Sequence, residues 1–99
     1  MKYYISGAIS NVDNYQSFFN IAENFLKREG HSVVNPCRIS EEVQSRIENP
    51  TYEDYMRADI LALLKCDAIY MLKGWKNSYG AKIEHAVAEA CGLVITYEV

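Results

Sequence analysis

Ala68-Ile-Tyr-Met-Leu72, followed by Lys73-Gly74-Trp75-Lys76-Asn77-Ser78-Tyr79-Gly80-Ala81-Lys82-Ile83-Glu84, is the stretch that decides the fold. The apolar run reads as a buried strand. The Gly and Trp residues after it form a loop, and Ser78 starts a helix by accepting a hydrogen bond from a free backbone N–H. Gly80 allows a ligand close to the backbone. Glu84 lies in the second turn, on one helix face with Val87, Ala88 and Cys91. A carboxylate on a core-facing side is costly to bury without a partner, so catalysis is the expected reason for it.

The pattern on either side repeats this strand–helix alternation. Lys2 to Ser6 reads as a first strand, running into Gly7-Ala8-Ile9-Ser10. Asp13 and Gln16 fit a capping box for a helix to about Glu29, with Tyr15, Phe18, Phe19, Ala22, Phe25 and Leu26 at helical spacing. His31 to Asn35 is a second strand, stopped by Pro36. Residues 37 to 50 are polar and predict a mobile loop or flap, with a short helix near Ser40 to Ile47. Thr51 and Asp54 cap a helix to about Leu64, with Tyr55, Ala58, Leu61, Ala62 and Leu64 inward. Asp67 to Leu72 is the third strand, Ser78 to Cys91 the next helix, and Leu93 to Tyr97 the fourth strand. Strands joined through helices pair in parallel by right-handed crossovers. The expected architecture is one α/β domain over residues 1–99, a three-layer sandwich of flavodoxin or Rossmann type on a four-stranded parallel sheet.

Ligands of such sheets bind beyond the carboxyl ends of the strands, where strand order switches. Ser6, Gly7, Ala8 and Ile9 follow the first strand there, and Gly74, Trp75, Asn77 and Ser78 follow the third. Ser6 to Ser10 is either a tight strand-to-helix turn or a small anion-binding loop. It lacks G-x-G-x-x-G and a Walker lysine, which argues against dinucleotide binding and NTP hydrolysis. Asp59, in an otherwise apolar helix, is either an edge carboxylate paired with Arg57 or solvent, or the partner of Glu84. Two carboxylates in different environments are what glycosidic chemistry requires. Tyr4 is a core aromatic or directs its hydroxyl to a carboxylate, and Trp75 stacks on a base or sugar or covers the core. Asp67 is expected to cap a helix end or turn, and His85 to be solvated or at an interface. No His, Asp or Glu constellation has metal-ligand spacing, and the serines and cysteines lack a base for a hydrolase triad.

The composition narrows the classes further. The 99 residues carry a net charge of −3 with no basic block, which argues against duplex nucleic acid as a partner. Cys37, Cys66 and Cys91 have no C-x-x-C spacing and suit reduced thiols in a cytoplasm. There is no secretory segment or long apolar span, so a cytoplasmic protein without membrane contact is expected.

Tyr4-Ile-Ser-Gly-Ala-Ile9, Arg57-Ala-Asp-Ile60, Cys66-Asp67-Ala-Ile and Ser78-Tyr-Gly-Ala-Lys-Ile-Glu84, in this order, resemble the nucleoside 2-deoxyribosyltransferase superfamily, which includes the deoxynucleoside 5′-monophosphate N-glycosidases. The run from Leu72 to Glu84 is similar to small members common in phage and prophage genomes. The resemblance covers most of the chain except residues 36 to 50. It implies that Glu84 is a nucleophile forming a covalent deoxyribosyl intermediate, and that Asp59 handles the proton of the leaving base. Tyr4 would orient Glu84, while Ser78 and the Gly7 loop would hold the 5′ end of the sugar. It implies no metal or organic cofactor, a nucleoside or nucleotide ligand, and a homodimer or higher homo-oligomer. The interface is expected on the helix of Asp59 or that of Glu84. An anion site at Gly7 and Ser78 would favour 5′-monophosphates. Two departures stand out. Lys82 replaces a residue often small in glycosidase relatives, predicting a narrower or more cationic pocket. The sequence ends at Val99, whereas relatives continue and donate C-terminal residues to a neighbour's site. The alternative function is non-catalytic capture of a nucleotide-like metabolite in the same pocket, and a weaker third is an accessory protein that binds a host protein.

Overall fold

A computed structural model describes residues 1–9 and 13–99. The four apolar runs form four parallel strands, β1 (Lys2–Ser6), β2 (Ser32–Val34), β3 (Ala68–Met71) and β4 (Val94–Tyr97). They lie in the order β2-β1-β3-β4. Tyr4 pairs with Val34 on one side and Ile69 on the other, and Ile69 pairs with Ile95. Strand order reverses between β1 and β3, as in flavodoxin-like sheets, so the ligand crevice lies beyond the ends of those two strands.

Helices α1 (Tyr15–Arg28), α2 (Pro36–Arg46), α3 (Tyr52–Leu64) and α4 (Tyr79–Ala90) complete a three-layer sandwich. Strand alternation divides the core into two halves. Tyr3, Ile5, Ala68, Tyr70 and Leu72 pack under Phe19, Ala22 and Leu26 of α1. Tyr4, Ile69 and Met71 pack on the other face against Leu63 of α3 and Ala81 and Ala88 of α4. Thr51 and Asp54 cap α3 reciprocally, the Thr51 hydroxyl accepting from Asp54 N–H and the Asp54 carboxylate accepting from Thr51 N–H.

Several expectations are corrected. Residues Pro36–Arg46 form an 11-residue helix, which replaces the expected loop or flap and starts four residues before the short helix expected near Ser40 to Ile47. Asn35-Pro36 both ends β2 and starts α2, because the Asn35 side chain caps Cys37 N–H and proline suits the first helical position. Asp13 and Gln16 form no capping box; Asn14, in the left-handed conformation that Asn tolerates, precedes α1 without a side-chain cap. On α3 the buried residues are Asp59 and Leu63, whereas Leu61 and Leu64 face outward. Cys91 is exposed. Asp67 ties two strand starts together, accepting from the Lys2 N–H at 2.9 Å.

Glu23, buried on α1, fixes this helix to the β2–α2 junction. Its carboxylate pairs with Lys27 and Arg38, each at 2.7 Å, and accepts from the Asn35 amide at 3.0 Å. Burial works to raise its pKa, but the Arg38, Lys27 and Asn35 hydrogen bonds prevail and hold it at about 2. A depressed carboxylate stabilises the fold above its unfolded pKa and loses that contribution in acid. Urea denaturation is therefore expected to show falling stability from pH 4.5 towards 2, and Glu23→Ala to lack that component. At pH 7 the variant should lose about 2 kcal/mol, because the buried Asn35 amide loses an acceptor. Parallel pH dependences for the two proteins would contradict this.

Candidate active site

Tyr4 and Ser6 are two residues apart on β1, so both side chains point to the face covered by α3 and α4. Ser78 caps α4 by accepting from Ala81 N–H at 3.1 Å, which fixes where the helix begins and so where its second turn points. Glu84 thereby arrives over β1. Tyr4 Oη donates to Glu84 Oε2 at 2.7 Å, and Ser6 Oγ donates to Glu84 Oε1 at 2.6 Å. Both oxygens of this buried carboxylate are satisfied by hydroxyls, and no cation among the described residues pairs with it. Burial raises the Glu84 pKa, while the Ser6 and Tyr4 hydrogen bonds oppose the rise by stabilising the anion. Burial, and then the adjacent Glu84, push the Tyr4 phenol well above its ordinary value, so it stays a donor.

Asp59 lies in the same cavity of about 480 Å³, a size suited to a small organic ligand. Its environment is the opposite of that of Glu84. Asp59 Oδ1 is buried and has no hydrogen-bond partner among the described residues. Arg57 is exposed and does not bond to it. Burial, reinforced by the Glu84 charge, lifts the Asp59 pKa to about 7. Hydroxyl donors thus support the anion at Glu84 against the effect of burial, whereas Asp59, with no described donor at Oδ1, is placed to hold a proton near neutrality.

Of the other residues expected from sequence, Gly7, Ile9, Ser78 and Gly80 line the cavity. Ser6 is fully buried and engages Glu84, a different role from the expected ligand contact. Gly7 has a packing reason of its own, since a Cβ there would sit 2.9 Å from Leu72 Cβ. Ala8 is half-buried and does not line the cavity; Ser10 lies outside the described residues. Trp75 is also absent from the lining. Its ring stacks on His85 at 4.3 Å, His85 Nε2 is 2.8 Å from Tyr97 Oη, and Trp75 borders a separate cleft at the ends of β3 and β4. The reason is the turn at Trp75–Asn77, which directs the indole along the outer side of α4. Lys82 is exposed and not in the lining either, so it neither narrows the pocket nor makes it cationic.

The walls were the least legible part. Tyr52, Tyr55 and Met56 line the cavity beside Asp59. Their spacing back from Asp59, at seven, four and three residues, is the signal that one helix face carries them all. Ser40 and Gln44 of α2 also line it, and Gln44 Nε2 donates to Tyr55 Oη at 3.1 Å. The short helix expected near Ser40 to Ile47 contains both residues, but nothing in its local pattern says that this face meets α3. Asp59 and Glu84 are the charged residues among the described lining, which contains no Lys or Arg. No cluster of three or more His, Cys, Asp or Glu occurs among the described residues in a metal-binding arrangement. No helix there is long and apolar enough to cross a membrane.

The raised Asp59 pKa has a cost that can be measured without any substrate. Between the ordinary aspartate value of 3.8 and about 7 the folded chain holds a proton that the unfolded chain has lost. Stability contributed there is lost as pH rises through that window. Asp59→Asn, neutral throughout, is expected to gain stability relative to wild type by about 3 kcal/mol more at pH 8 than at pH 5, from ~1.4 kcal/mol per pH unit over the two units from pH 5 to about 7. Thermal unfolding at the two pH values reads this directly, and an equal effect at both would mean that Asp59 titrates normally.

No curated protein matches the chain in sequence. The profile of a family described as a domain of unknown function (DUF4406) matches residues 1–97, which span every element from β1 to β4 and so every element that builds the cavity. The chain belongs to the DUF4406 family.

Proposed function

We propose that this protein cleaves or exchanges the N-glycosidic bond of a deoxynucleoside or deoxynucleoside 5′-monophosphate, through a covalent Glu84–deoxyribosyl intermediate. The observation that carries the reading is the pairing in one cavity of a hydroxyl-bound Glu84 with an Asp59 whose Oδ1 has no partner among the described residues and whose pKa is about 7. In the first step a Glu84 carboxylate oxygen bonds to the anomeric carbon as the carbon–nitrogen bond breaks. The electron pair leaves with the base, which takes the Asp59 proton. In the second step water or another base attacks the same carbon, Asp59 recovers a proton from that nucleophile, and Glu84 is released. As written, the sequence uses neither a metal nor an organic cofactor.

Tyr4 and Ser6 act as positioning residues that hold Glu84 in one rotamer and favour its anion. Tyr15, Phe19, Tyr52 and Tyr55 supply aromatic walls suited to a planar base. The two carboxylates, without a described Lys or Arg beside them, weigh towards the uncharged nucleoside; a phosphate would depend on the first turn of α4 and the Gly7 loop. The cysteines are free, as a reducing cytoplasm keeps them, and the reading sets the protein there. It includes a homo-oligomeric state, supported by large apolar side chains exposed on α1 and α3.

A chromatographic screen for free base over deoxynucleosides and their 5′-monophosphates tests the reaction. Release is expected from the intact protein, and Glu84→Gln should fold normally and lose turnover by several orders of magnitude, because nothing replaces the nucleophile. Tyr4→Phe should reduce kcat roughly 10- to 100-fold, the worth of one hydrogen bond to a charged group. The rate should fall as pH rises through about 7, where Asp59 loses the proton it donates. Calorimetric titration of matched pairs is expected to give tighter binding of the nucleoside. Binding without release by any of them would leave capture of a metabolite as the function.

A further inference from the structure

Helix α1 is apolar on two sides. Phe19, Ala22 and Leu26 face the sheet and are buried, whereas Phe18, Ile21 and Phe25 are 54, 63 and 42% exposed. Asn14, Phe18, Ile21, Phe25 and Arg28 are separated by steps of four, three, four and three residues, which aligns them along one side of the helix in a heptad seam. A helix apolar on both sides is normally covered on both. The layer around it is also incomplete. α1 packs over β1, β2 and the buried residues of β3, while no described helix covers this sheet face over β4. Val94 of β4 is 43% exposed there, and the Phe25 ring lies 6.2 Å from that of Tyr70.

We infer that this seam is a two-fold contact with a second copy of the chain, α1 lying antiparallel on α1 and crossing at Ile21. The seam is self-complementary, as a two-fold interface requires. Phe18 lies three residues before Ile21 and Phe25 four after it, so each copy's Phe18 meets the partner's Phe25. The ends match in charge. Asp13 and Asn14 stand at one pole of the seam, and Arg28, with no ion-pair partner among the described residues, at the other. Antiparallel pairing joins these unlike poles twice and opposes the two helix dipoles, whereas parallel pairing would bring Arg28 against Arg28. The outward Leu61 and Leu64 of α3 are the competing surface. They are flanked by Arg57 and Lys65, so a two-fold contact there would bring like charges together. The contact is independent of the enzymatic reading, and it lies on α1 rather than on the helix of Asp59 or Glu84.

Light scattering over a concentration series and cysteine cross-linking test the inference. The protein is expected to be a dimer. Ile21→Glu, at an exposed position, should keep its circular dichroism and weaken association at least 100-fold; Leu61→Glu should leave the dimer intact. In a Cys91→Ser background, Ile21→Cys should form an intermolecular disulfide on mild oxidation, because facing backbones of two packed helices come within disulfide reach at the axis. Leu61→Cys should not. A monomer at every concentration would overturn the inference, as would a dimer that survives Ile21→Glu or that cross-links through Leu61→Cys.

Discussion

The Glu84 carboxylate is buried without a cation among the described residues, and much of the surrounding structure serves to make that burial tolerable. Taking a carboxylate out of water costs several kcal/mol unless donors replace the lost solvent. β1 supplies two of them from alternate positions on a single strand, Tyr4 and Ser6, each bonded to a different oxygen of Glu84. That arrangement requires β1 to be an interior strand with α4 directly above it. The β2-β1-β3-β4 order meets the requirement by placing β1 between β2 and β3. It also requires α4 to begin at a fixed residue, which the Ser78 cap ensures. A buried anion, a central strand and a capped helix are therefore one connected constraint.

Asp59 is held by the same layer and treated in the opposite way. No described donor reaches its Oδ1, and the Glu84 charge nearby makes its own ionisation harder. Such an acid contributes nothing to the fold that an amide would not provide, and above neutrality it is a burden. Strained or unsatisfied groups of this kind persist where the surrounding structure fixes them and where chemistry uses them. The contrast with Glu23 makes this clear. Glu23 is also buried, yet it has two cations and an amide around it, and its pKa falls to about 2. Glu23 is a structural tie between α1 and α2, whereas Asp59 and Glu84 are kept apart from every described cation and face a cavity.

The two faces of the sheet are unequally covered. Among the described helices, α2, α3 and α4 lie over the face that carries the carboxylates, and α1, with Cys37 at the start of α2 beside it, lies over the other. Both carboxylates thus sit in the thicker layer, where α2, α3 and α4 each contribute a wall. The thinner layer leaves α1 with a second apolar side, and it leaves Val94 without a described helix above it. Tyr15 and Phe19 of α1 still reach the cavity rim. Whatever covers α1 therefore lies one helix away from the site.

Sequence alone determined the alternation of strands and helices, the parallel sheet, and the proximity of the β1 end to the start of α4. These follow from local patterns, namely apolar runs, caps at Thr51 and Ser78, and helical spacing. It also marked Glu84 and Asp59, because a carboxylate among apolar neighbours is conspicuous at short range. Tertiary structure decided the rest. Asn35-Pro36 signals a strand end and a helix start equally well, and only the contacts of Asn35 and Arg38 with Glu23 show which follows. The apolar residues of α3 surround the helix, so spacing could not say that Leu61 and Leu64 face outward. Trp75 and Ser6 lay at the expected strand ends, but a loop's path and a strand's alternation turned one towards His85 and the other towards Glu84. Local sequence fixes what a segment is, whereas which of its sides is buried, and against what, depends on residues far away in the chain.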